Sequence, residues 1–227
     1  MSINIDKTKV FGWESAIRGL RNPLESWDMS DSDWEFVEDP SIINPHDEVK
    51  FIAGAKDLDL MQRLSKAGSD HGKFLRYIDV TCDITAPLYW WKEYDTYKVG
   101  TVANSCSTMH KIHAKEFTLD DFSHDYLFDG NVYFLEEIID RLNFHRKEFV
   151  ENKGKCDWWQ MIQLLPSSYN QKRTVKLNYQ VLKSMYFARR NHKLDEWHDF
   201  CRWCESLPYF KEICVEPMEK EDDKCIG

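Results

Sequence analysis

The sequence lacks any apolar run of bilayer-spanning length, and its first ten residues lack the apolar core of a signal peptide. It has no internal repeat and no glycine-rich phosphate loop of either common type. Its 30 basic residues are outnumbered by 39 acidic ones, which gives a net charge of -9. A general nucleic-acid binder needs a basic face that neutralises phosphates, so this charge argues against that class. From these absences we expect a cytoplasmic protein without membrane or general nucleic-acid partners.

Disulfide and metal-site patterns are also missing. The seven cysteines are odd in number and scattered, which is not typical of a disulfide framework. Cys201 and Cys204 form a C-x-x-C with His198 three residues earlier, but a zinc site needs a fourth ligand. Both cysteines fall at helical spacing with Trp197 and Phe200, so we interpret them as core residues. The sequence therefore predicts no metal site.

Apolar residues, in contrast, are plentiful enough for a large core. They make up 42% of the 227 residues and aromatic residues make up 14%, which excludes disorder over most of the chain. Apolar periodicity, caps and prolines predict one clear strand and several helices. The strand covers residues 74–84, with further strands among residues 47–52 and 101–115, and the helices cover residues 13–21, 56–67, 88–94, 131–150, 158–165, 174–192 and 194–205. We expect a single α+β domain in which a small, mainly antiparallel sheet is covered by long helices.

The predicted organisation has three parts. Residues 1–46 form an arm of helix and loop, residues 47–210 form the α+β domain, and residues 211–227 form an acidic tail. The end of the tail is rich in charge and has no apolar periodicity, so we expect no chemistry there.

Two stretches carry the densest hydrogen-bonding chemistry. Residues 83–110 place small polar side chains beside large rings, and we treat them as the site-forming segment. In the predicted helix 174–192, Asn178 and Arg189 are eleven residues apart and return to within about 20° of one direction. That pair is either a ligand site or the two polar ends of an apolar stripe. Arg18 and Arg21 also share a helix face, where they either grip a phosphate or lie solvated on the surface.

Catalytic motifs that work without a cofactor are weak. Ser107 lacks the glycine-flanked turn of a nucleophile elbow, and His110 and His113 lack a third ligand at metal-binding spacing. The pattern offers binding groups without an evident acid, base or nucleophile. It fits two classes equally well: an enzyme whose cofactor performs the chemistry, or a binding protein.

The order of these motifs resembles that of the flavin-dependent thymidylate synthases. Ala86-Pro87 ends the predicted strand and leads into a helix, as in that family. Residues 104–110 (NSCSTMH) stand where the family has Asn-Glu-x-Ser-x-Arg-Tyr. Leu165-Pro166 then precedes a segment in which Asn178 and Arg189 match the family's order and spacing.

The resemblance implies FAD as the cofactor, NADPH and methylenetetrahydrofolate as co-substrates, and dUMP as the uracil nucleotide that is methylated to dTMP. It also implies a homotetramer with sites between subunits, and we expect Ser107 and Arg189 to be catalytic. The residues expected at the cofactor are His71, Lys98, Asn104, Ser105, Asn178 and His192. Those expected at the substrate are Arg76, Tyr97 and Arg190.

The sequence departs from the family signature at its arginines. Thr96 and Lys98 replace both arginines of Arg-His-Arg, and Met109 replaces the arginine after the serine. Lysine offers charge but not the bidentate fork that holds phosphate. Two alternatives therefore stay open: a flavin or nucleotide enzyme with another substrate, and a non-catalytic homo-oligomeric binding protein. We expect Trp158 and Trp159, in a helix that is apolar almost all round, at a subunit interface.

Overall fold

The structure is a computed structural model that describes residues 3–36 and 49–219. Six strands among these residues form two sheets. They are β1 (Asn4–Phe11), β2 (Asp33–Phe36), β3 (Val49–Ile52), β4 (Asp79–Pro87), β5 (Val102–Ser105) and β6 (Asn170–Asn178). The larger sheet has the order β1-β4-β6-β5, and β2 and β3 form the smaller one. β5 runs antiparallel to β6, and β2 runs antiparallel to β3 with Trp34 opposite Phe51.

Eight α-helices lie within the described residues. They are α1 (Trp13–Arg21), α2 (Ala55–Lys66), α3 (Leu88–Tyr94), α4 (Asp129–Asn152), α5 (Lys155–Leu164), α6 (Tyr179–Arg189), α7 (Asp195–Ser206) and α8 (Glu216–Glu219). None of these helices is both long enough and apolar enough to cross a membrane. The small sheet and the long helices confirm the predicted α+β class.

The chain forms two compact units, each assembled from separate stretches. Unit 1 comprises Met1–Thr8, Thr81–Lys176 and Arg190–Phe200, and unit 2 comprises Lys9–Val80, Leu177–Arg189 and Cys201–Gly227. One core cluster of unit 1 joins α4 and α5 to the loop before them, through Ile112, Phe117, Phe122, Leu135, Ile139, Leu142 and Met161. In unit 2, Trp13 stacks on Phe51 with 4.7 Å between ring centroids and meets Tyr179 and Tyr209 edge-on.

Two predicted helices are confirmed residue for residue. α3 begins directly after Pro87, a residue type that favours the start of a helix, and Pro87 is its N-cap with extended backbone angles (φ -67°, ψ 151°). α1 ends at Arg21 as predicted, although Asn22 before Pro23 keeps helical backbone angles (φ -53°, ψ -49°) and begins a 3-10 turn. The boundary is therefore right, but the expected avoidance of helical angles before proline is not its cause.

The predicted strand 74–84 is wrong in its first half. Gly72–Arg76 form a 3-10 helix, and β4 begins only at Asp79. Arg76 is therefore exposed on a short helix instead of interrupting the buried face of a strand. Within β4 itself, Val80, Cys82 and Ile84 are buried, so the period-two pattern holds there except at Asp83 and Pro87, which are also buried.

The predicted helix 174–192 is wrong in its first five residues, which belong to β6. Val175 and Leu177 are buried while Thr174 and Lys176 are exposed, and this alternation is that of a strand. α6 begins only after Asn178, whose Oδ1 accepts the Val181 N–H at 3.1 Å as an N-cap. Asn178 and Arg189 therefore do not share a helix face.

Folded structure extends beyond the predicted end of the α+β domain. Lys211–Val215 form a π-helix in which Ile213, Cys214 and Val215 are buried. Residues 220–227 of the predicted acidic tail lie outside the described residues, and the predicted division into arm, domain and tail stays a prediction. Cys201 and Cys204 are buried on α7, which confirms their interpretation as core residues.

Candidate functional site

A cavity of about 560 Å³ lies within unit 1 and is lined in part by the predicted site-forming segment. We call it the lysine cavity, after the three lysines in its wall. Its lining combines these cations with polar side chains and rings, among them Cys106, Ser107, Lys111, Lys115, Phe117, Phe122, His124, Tyr169, Asn170, Gln171 and Lys172. A concave site of this size that combines rings with a few polar groups is typical of small-molecule binding.

Ser107 organises the turn on one side of this cavity. Its Oγ accepts the backbone N–H groups of Met109 at 3.3 Å and His110 at 2.9 Å. On α5, Trp158 Nε1 donates to the Met109 carbonyl oxygen at 2.9 Å and holds the same turn from outside. A serine that closes such a turn keeps its hydroxyl proton free to donate. The position of Ser107 is therefore fixed while its donor remains available.

β6 forms another part of the wall and is tied to the segment that carries Cys106. Gln171 Nε2 donates to the Cys106 carbonyl oxygen at 2.8 Å, and the Cys106 N–H donates to the Lys172 carbonyl oxygen at 2.9 Å. The Arg173 guanidinium lies 4.1 Å from the Trp91 ring centroid, and its Nε donates to Gln171 Oε1 at 3.0 Å. These bonds use both polar atoms of the Gln171 side chain and leave those of Ser107 and Asn170 to the cavity.

Asn170 contributes an unmatched acceptor to this wall. Its Oδ1 is buried and has no hydrogen-bond partner among the described residues. A buried acceptor left without a donor costs about 1–3 kcal/mol, so Asn170 Oδ1 favours a ligand that brings an N–H or O–H donor. The neighbouring His124 cannot supply the proton through Nδ1, because that atom lies 2.8 Å from the Phe122 carbonyl oxygen and donates to it.

The three lysines differ in how far their charge is neutralised. Lys172 Nζ lies 3.1 Å from Asp83 Oδ2, and Lys115 forms an ion pair with Asp121. Lys111 is exposed and forms no ion pair within the described parts of the chain. Lys111 is therefore the cation of the wall without an ion pair in the described residues, and the exposed Asp120 carboxylate lines the same wall.

Asp83 is the acidic centre of a small polar cluster behind Lys172. It accepts a 2.6 Å hydrogen bond from Thr174 Oγ1 and also lies 3.4 Å from Lys7 Nζ. The Thr174 bond, followed by the Lys172 bond, lowers the pKa of Asp83 to about 2. The same carboxylate raises the pKa of Lys172, chiefly through their hydrogen bond. Lys172 therefore stays charged while it faces the cavity.

Only Ser107 among the predicted site residues lines the lysine cavity. Asn104 and Ser105 are exposed on β5, and Tyr97 and Lys98 follow α3, half-buried and exposed respectively. His192 Nε2 lies 3.2 Å from Glu93 Oε2, a carboxylate that also accepts the Trp197 indole N–H at 3.1 Å. The half-buried Arg190 completes the set that falls in unit 1.

The remaining predicted residues lie in unit 2. His71 and Arg76 are exposed at the two ends of one 3-10 helix, whose N-cap is His71. Asn178 caps α6, and Arg189 is half-buried at the other end of that helix. The roles assigned to all of these residues stay predictions.

Sequence reasoning missed two of the cavity's three lysines and its amide. Lys111 and Lys115 follow the predicted segment directly, and their i, i+4 spacing was visible in the sequence. Asn170 and Lys172 sit on β6, whose alternation of Gln171, Val175 and Leu177 with polar residues was the signal that could have revealed a strand there.

No family model and no curated protein sequence matches this chain. Two solved structures of flavin-dependent thymidylate synthase from Helicobacter pylori, each with FAD and dUMP, are similar to it in fold. The first, described as thymidylate synthase X, has a TM-score of 0.68 and 14% identity, over 96% of this chain and 100% of that chain. The second has a TM-score of 0.64 and 16% identity, over 95% of this chain and 98% of that chain. At these identities the similarity shows a shared fold.

Proposed function

We propose that this chain binds FAD and a uracil nucleotide and catalyses flavin-dependent methyl transfer of the thymidylate synthase type. Two findings support the proposal: the fold shared with proteins whose structures contain FAD and dUMP, and the chemistry of the lysine cavity. The observation that carries it is the buried Asn170 Oδ1, an acceptor without a donor in a wall that also contains Ser107 and Lys111.

The residues of the cavity fit a ring feature that flavin and uracil share. Both rings contain an imide, in which one N–H donor lies between two carbonyl acceptors. Asn170 Oδ1 accepts from such an N–H, and the Ser107 hydroxyl and the lysines donate to such carbonyls. The half-buried Tyr169 supplies the apolar surface that a flat ring requires.

In this proposal the chain binds and orients while the cofactor supplies the chemistry. A bound flavin provides the redox and one-carbon transfer steps that no side chain provides. Lys111 neutralises an anionic group of the ligand, and Ser107 and Asn170 fix the orientation of its ring. NADPH and methylenetetrahydrofolate belong to the same proposal as co-substrates, as do the catalytic roles of Ser107 and Arg189.

The replaced arginines favour a second candidate function, a flavin or nucleotide enzyme that acts on another substrate. Thr96, Lys98 and Met109 stand at the three positions where the family signature has arginine. A lysine at one of them keeps charge but loses the bidentate grip on phosphate. Under this candidate FAD still binds, but dUMP does not.

The test is the visible absorbance of the purified full-length chain after reconstitution with FAD and gel filtration. We expect the flavin to be retained and dUMP to shift its spectrum, and we expect Asn170→Leu to weaken the dUMP response. Retained flavin without any dUMP response supports the second candidate. A chain that cannot retain FAD contradicts both, and an intact oligomer without flavin identifies a non-catalytic binding protein.

We also propose that the chain forms a homotetramer, with α4 and α5 at an interface. Phe134, Phe144, Trp159 and Leu164 on these helices are between 41% and 60% exposed, and contiguous apolar surface of this kind is typical of protein interfaces. Trp158 contributes less, because its indole N–H is used by Met109. We expect Trp159→Ala to lower the mass measured by light scattering before it weakens flavin binding. The reverse order of effects contradicts the proposal.

A further inference from the structure

Unit 2 contains a second cavity, of about 490 Å³, which the proposed function does not use. We call it the tryptophan cavity. Its wall includes Ile17, Arg18, Trp27, Trp34 and Phe51. Its volume is within the range of small-molecule sites, and two of its rings are unusually open to solvent.

Both tryptophans are exposed yet firmly oriented. Trp27 is 51% exposed and Trp34 is 40% exposed. The Trp27 indole N–H donates to Asn22 Oδ1 at 2.9 Å, and the Trp34 indole N–H donates to Glu14 Oε1 at 3.1 Å. Because each polar edge is satisfied within the chain, what remains for a ligand is the flat apolar face.

A buried ion pair holds the segment between these tryptophans. Arg21, which the sequence suggested as a phosphate-binding or surface residue, is neither: it is 3% exposed and its Nε donates to Asp57 Oδ1 at 2.6 Å. Asp57 Oδ2 also accepts the hydroxyls of Ser30 and Ser32, each at 2.7 Å. Burial would raise the pKa of Asp57, but the bonds from Ser32, Ser30 and Arg21 outweigh it and lower that pKa.

The same segment also accepts hydrogen bonds from α2. Asp31 accepts the N–H of Asp57 at 3.0 Å and that of Lys56 at 2.9 Å, so it caps the helix that carries Asp57. Gly54 is required at this contact, since an added Cβ would lie 2.2 Å from the Asp31 carbonyl oxygen. This reciprocal arrangement fixes the cavity wall before any ligand arrives, which lowers the entropic cost of binding.

The charged side chains of the cavity wall are Glu14, Asp33, Arg18 and Arg21. Asp57 balances the charge of Arg21, whereas Glu14 and Asp33 stay negative although they accept the Trp34 indole N–H and, at 2.8 Å, the Trp34 backbone N–H. Arg18 is exposed, and its guanidinium makes no hydrogen bond or ion pair with the residues that the structure describes. Glu14 lies four residues before Arg18, a spacing that allows an ion pair, but its carboxylate bonds the indole instead.

We propose that the tryptophan cavity binds a planar aromatic molecule that carries a phosphate or a carboxylate. The ring lies against Trp27 or Trp34, and the anionic group binds the guanidinium of Arg18, whose planar fork matches both anions. The proposal is independent of flavin or nucleotide binding in unit 1.

Calorimetric titration of the full-length chain tests this proposal with three probes: GMP, its uncharged counterpart guanosine, and 2-naphthoate. We expect Arg18→Gln to weaken the anionic probes about tenfold and to leave guanosine unchanged, because only the anions contact the guanidinium. Trp34→Ala should weaken all three probes. A larger loss of affinity on Arg18→Gln for GMP than for 2-naphthoate indicates a phosphate ligand, and the reverse order indicates a carboxylate.

Two variants serve as controls. Phe36→Ala removes an 81% exposed ring from the same strand as Trp34 but outside the cavity wall, and it should leave binding and thermal unfolding unchanged. Lys111→Gln reports on the other cavity: weaker GMP binding in that variant places GMP in the lysine cavity and overturns the proposal. The proposal is overturned if no probe binds, or if Arg18→Gln leaves the anion affinities unchanged. It is also overturned if Trp34→Ala dissociates an oligomer, since the surface is then an interface between copies.

Discussion

The lysine cavity and the tryptophan cavity have similar volumes, about 560 and 490 Å³, but their polar groups are satisfied within the chain to different extents. In the tryptophan cavity nearly every polar group is satisfied within the chain, and the frame rests on the buried Arg21–Asp57 pair. In the lysine cavity the backbone is well tied, but Asn170 Oδ1 lacks a donor and Lys111 lacks a counter-ion among the described residues.

This difference indicates whether the polar groups of each cavity contribute mainly to folding stability or mainly to ligand binding. A network that is buried and complete contributes to folding, and removing one member leaves an uncompensated charge. Groups that are unmatched or exposed contribute little to folding and become useful only when a ligand completes them. Substitutions in the frame of the tryptophan cavity should therefore affect stability, and substitutions in the lysine cavity should mainly affect binding.

The largest expected effect is on the frame of the tryptophan cavity. Asp57→Ala leaves Arg21 charged and buried without its partner, so we expect the free energy of unfolding to fall by about 3–5 kcal/mol. Urea unfolding followed by circular dichroism measures it. The matched control is Asp59→Ala on the same helix, which removes an exposed pair with Arg63 and should cost less than about 0.5 kcal/mol. Equal losses in both variants would contradict the comparison.

The Arg21–Asp57 ion pair could not be predicted from the sequence. Arg21 and Asp57 are 36 residues apart, and Asp83 and Thr174 are 91 apart, so no local pattern relates them. α1 and α3 were predictable because their periodicity and flanking residues lie within one or two turns of the chain. The signals that define elements are local, whereas the pairings that build cavities are not.

The next effect is on ligand binding in the lysine cavity. Lys111→Gln removes the charge that we assign to the anionic group of the nucleotide, and we expect dUMP affinity to fall about tenfold, which corresponds to about 1.4 kcal/mol. Calorimetric titration of the FAD-loaded chain measures this change, while urea unfolding should stay within about 0.5 kcal/mol of the wild type. Lys147→Gln, an exposed lysine of α4 outside the cavity, is the control. If Lys111→Gln lowers stability but not dUMP affinity, Lys111 contributes to folding and does not bind the nucleotide.

The amide at Asn170 marks a further limit of sequence reasoning. Residues 170–178 combine strand alternation with Thr174, a residue type that often caps helices, so a helix predicted from residue 174 is compatible with the local pattern. In the structure the cap is Asn178, and Asn170 and Lys172 lie on the strand before it. Even so, pairing with β5 and the missing donor at Oδ1 are visible only in three dimensions.

Asn170→Leu should change stability and binding in opposite directions. It replaces an acceptor that has no donor with an apolar group of similar size, so we expect the free energy of unfolding to rise by about 1 kcal/mol while dUMP binding weakens. Asn143→Leu is the matched control, because Asn143 Oδ1 and Nδ2 both bond the Phe117 backbone at 2.9 Å. That variant should lose about 1–3 kcal/mol. If Asn170→Leu is destabilised to the same extent, its oxygen already has a donor within the chain.

The smallest expected effect is the pH dependence contributed by Asp83, next to the lysine cavity. Its pKa is lowered from 3.8 to about 2 in the folded chain, chiefly by the Thr174 hydrogen bond. The folded chain therefore binds the proton less readily than the unfolded chain, so this contribution to stability is present in full above pH 3.8 and is lost as the pH falls toward 2. The difference in melting temperature between the wild type and Asp83→Asn should be constant near neutral pH and should shrink over that acid range.

The salt dependence of stability should differ between the Asp83 cluster and the Arg21–Asp57 pair of the tryptophan cavity. The Lys7 side chain is 74% exposed and the Lys172 side chain is 40% exposed, so solvent ions reach their attraction for Asp83. Screening at about 1 M NaCl, where the Debye length is about 3 Å, should reduce the Asp83→Asn effect. The Asp57→Ala effect should persist there, because the Arg21 side chain is 4% exposed and the Asp57 side chain is 0% exposed. A salt response of equal size in both variants would mean that the two regions do not differ in the way their burial predicts.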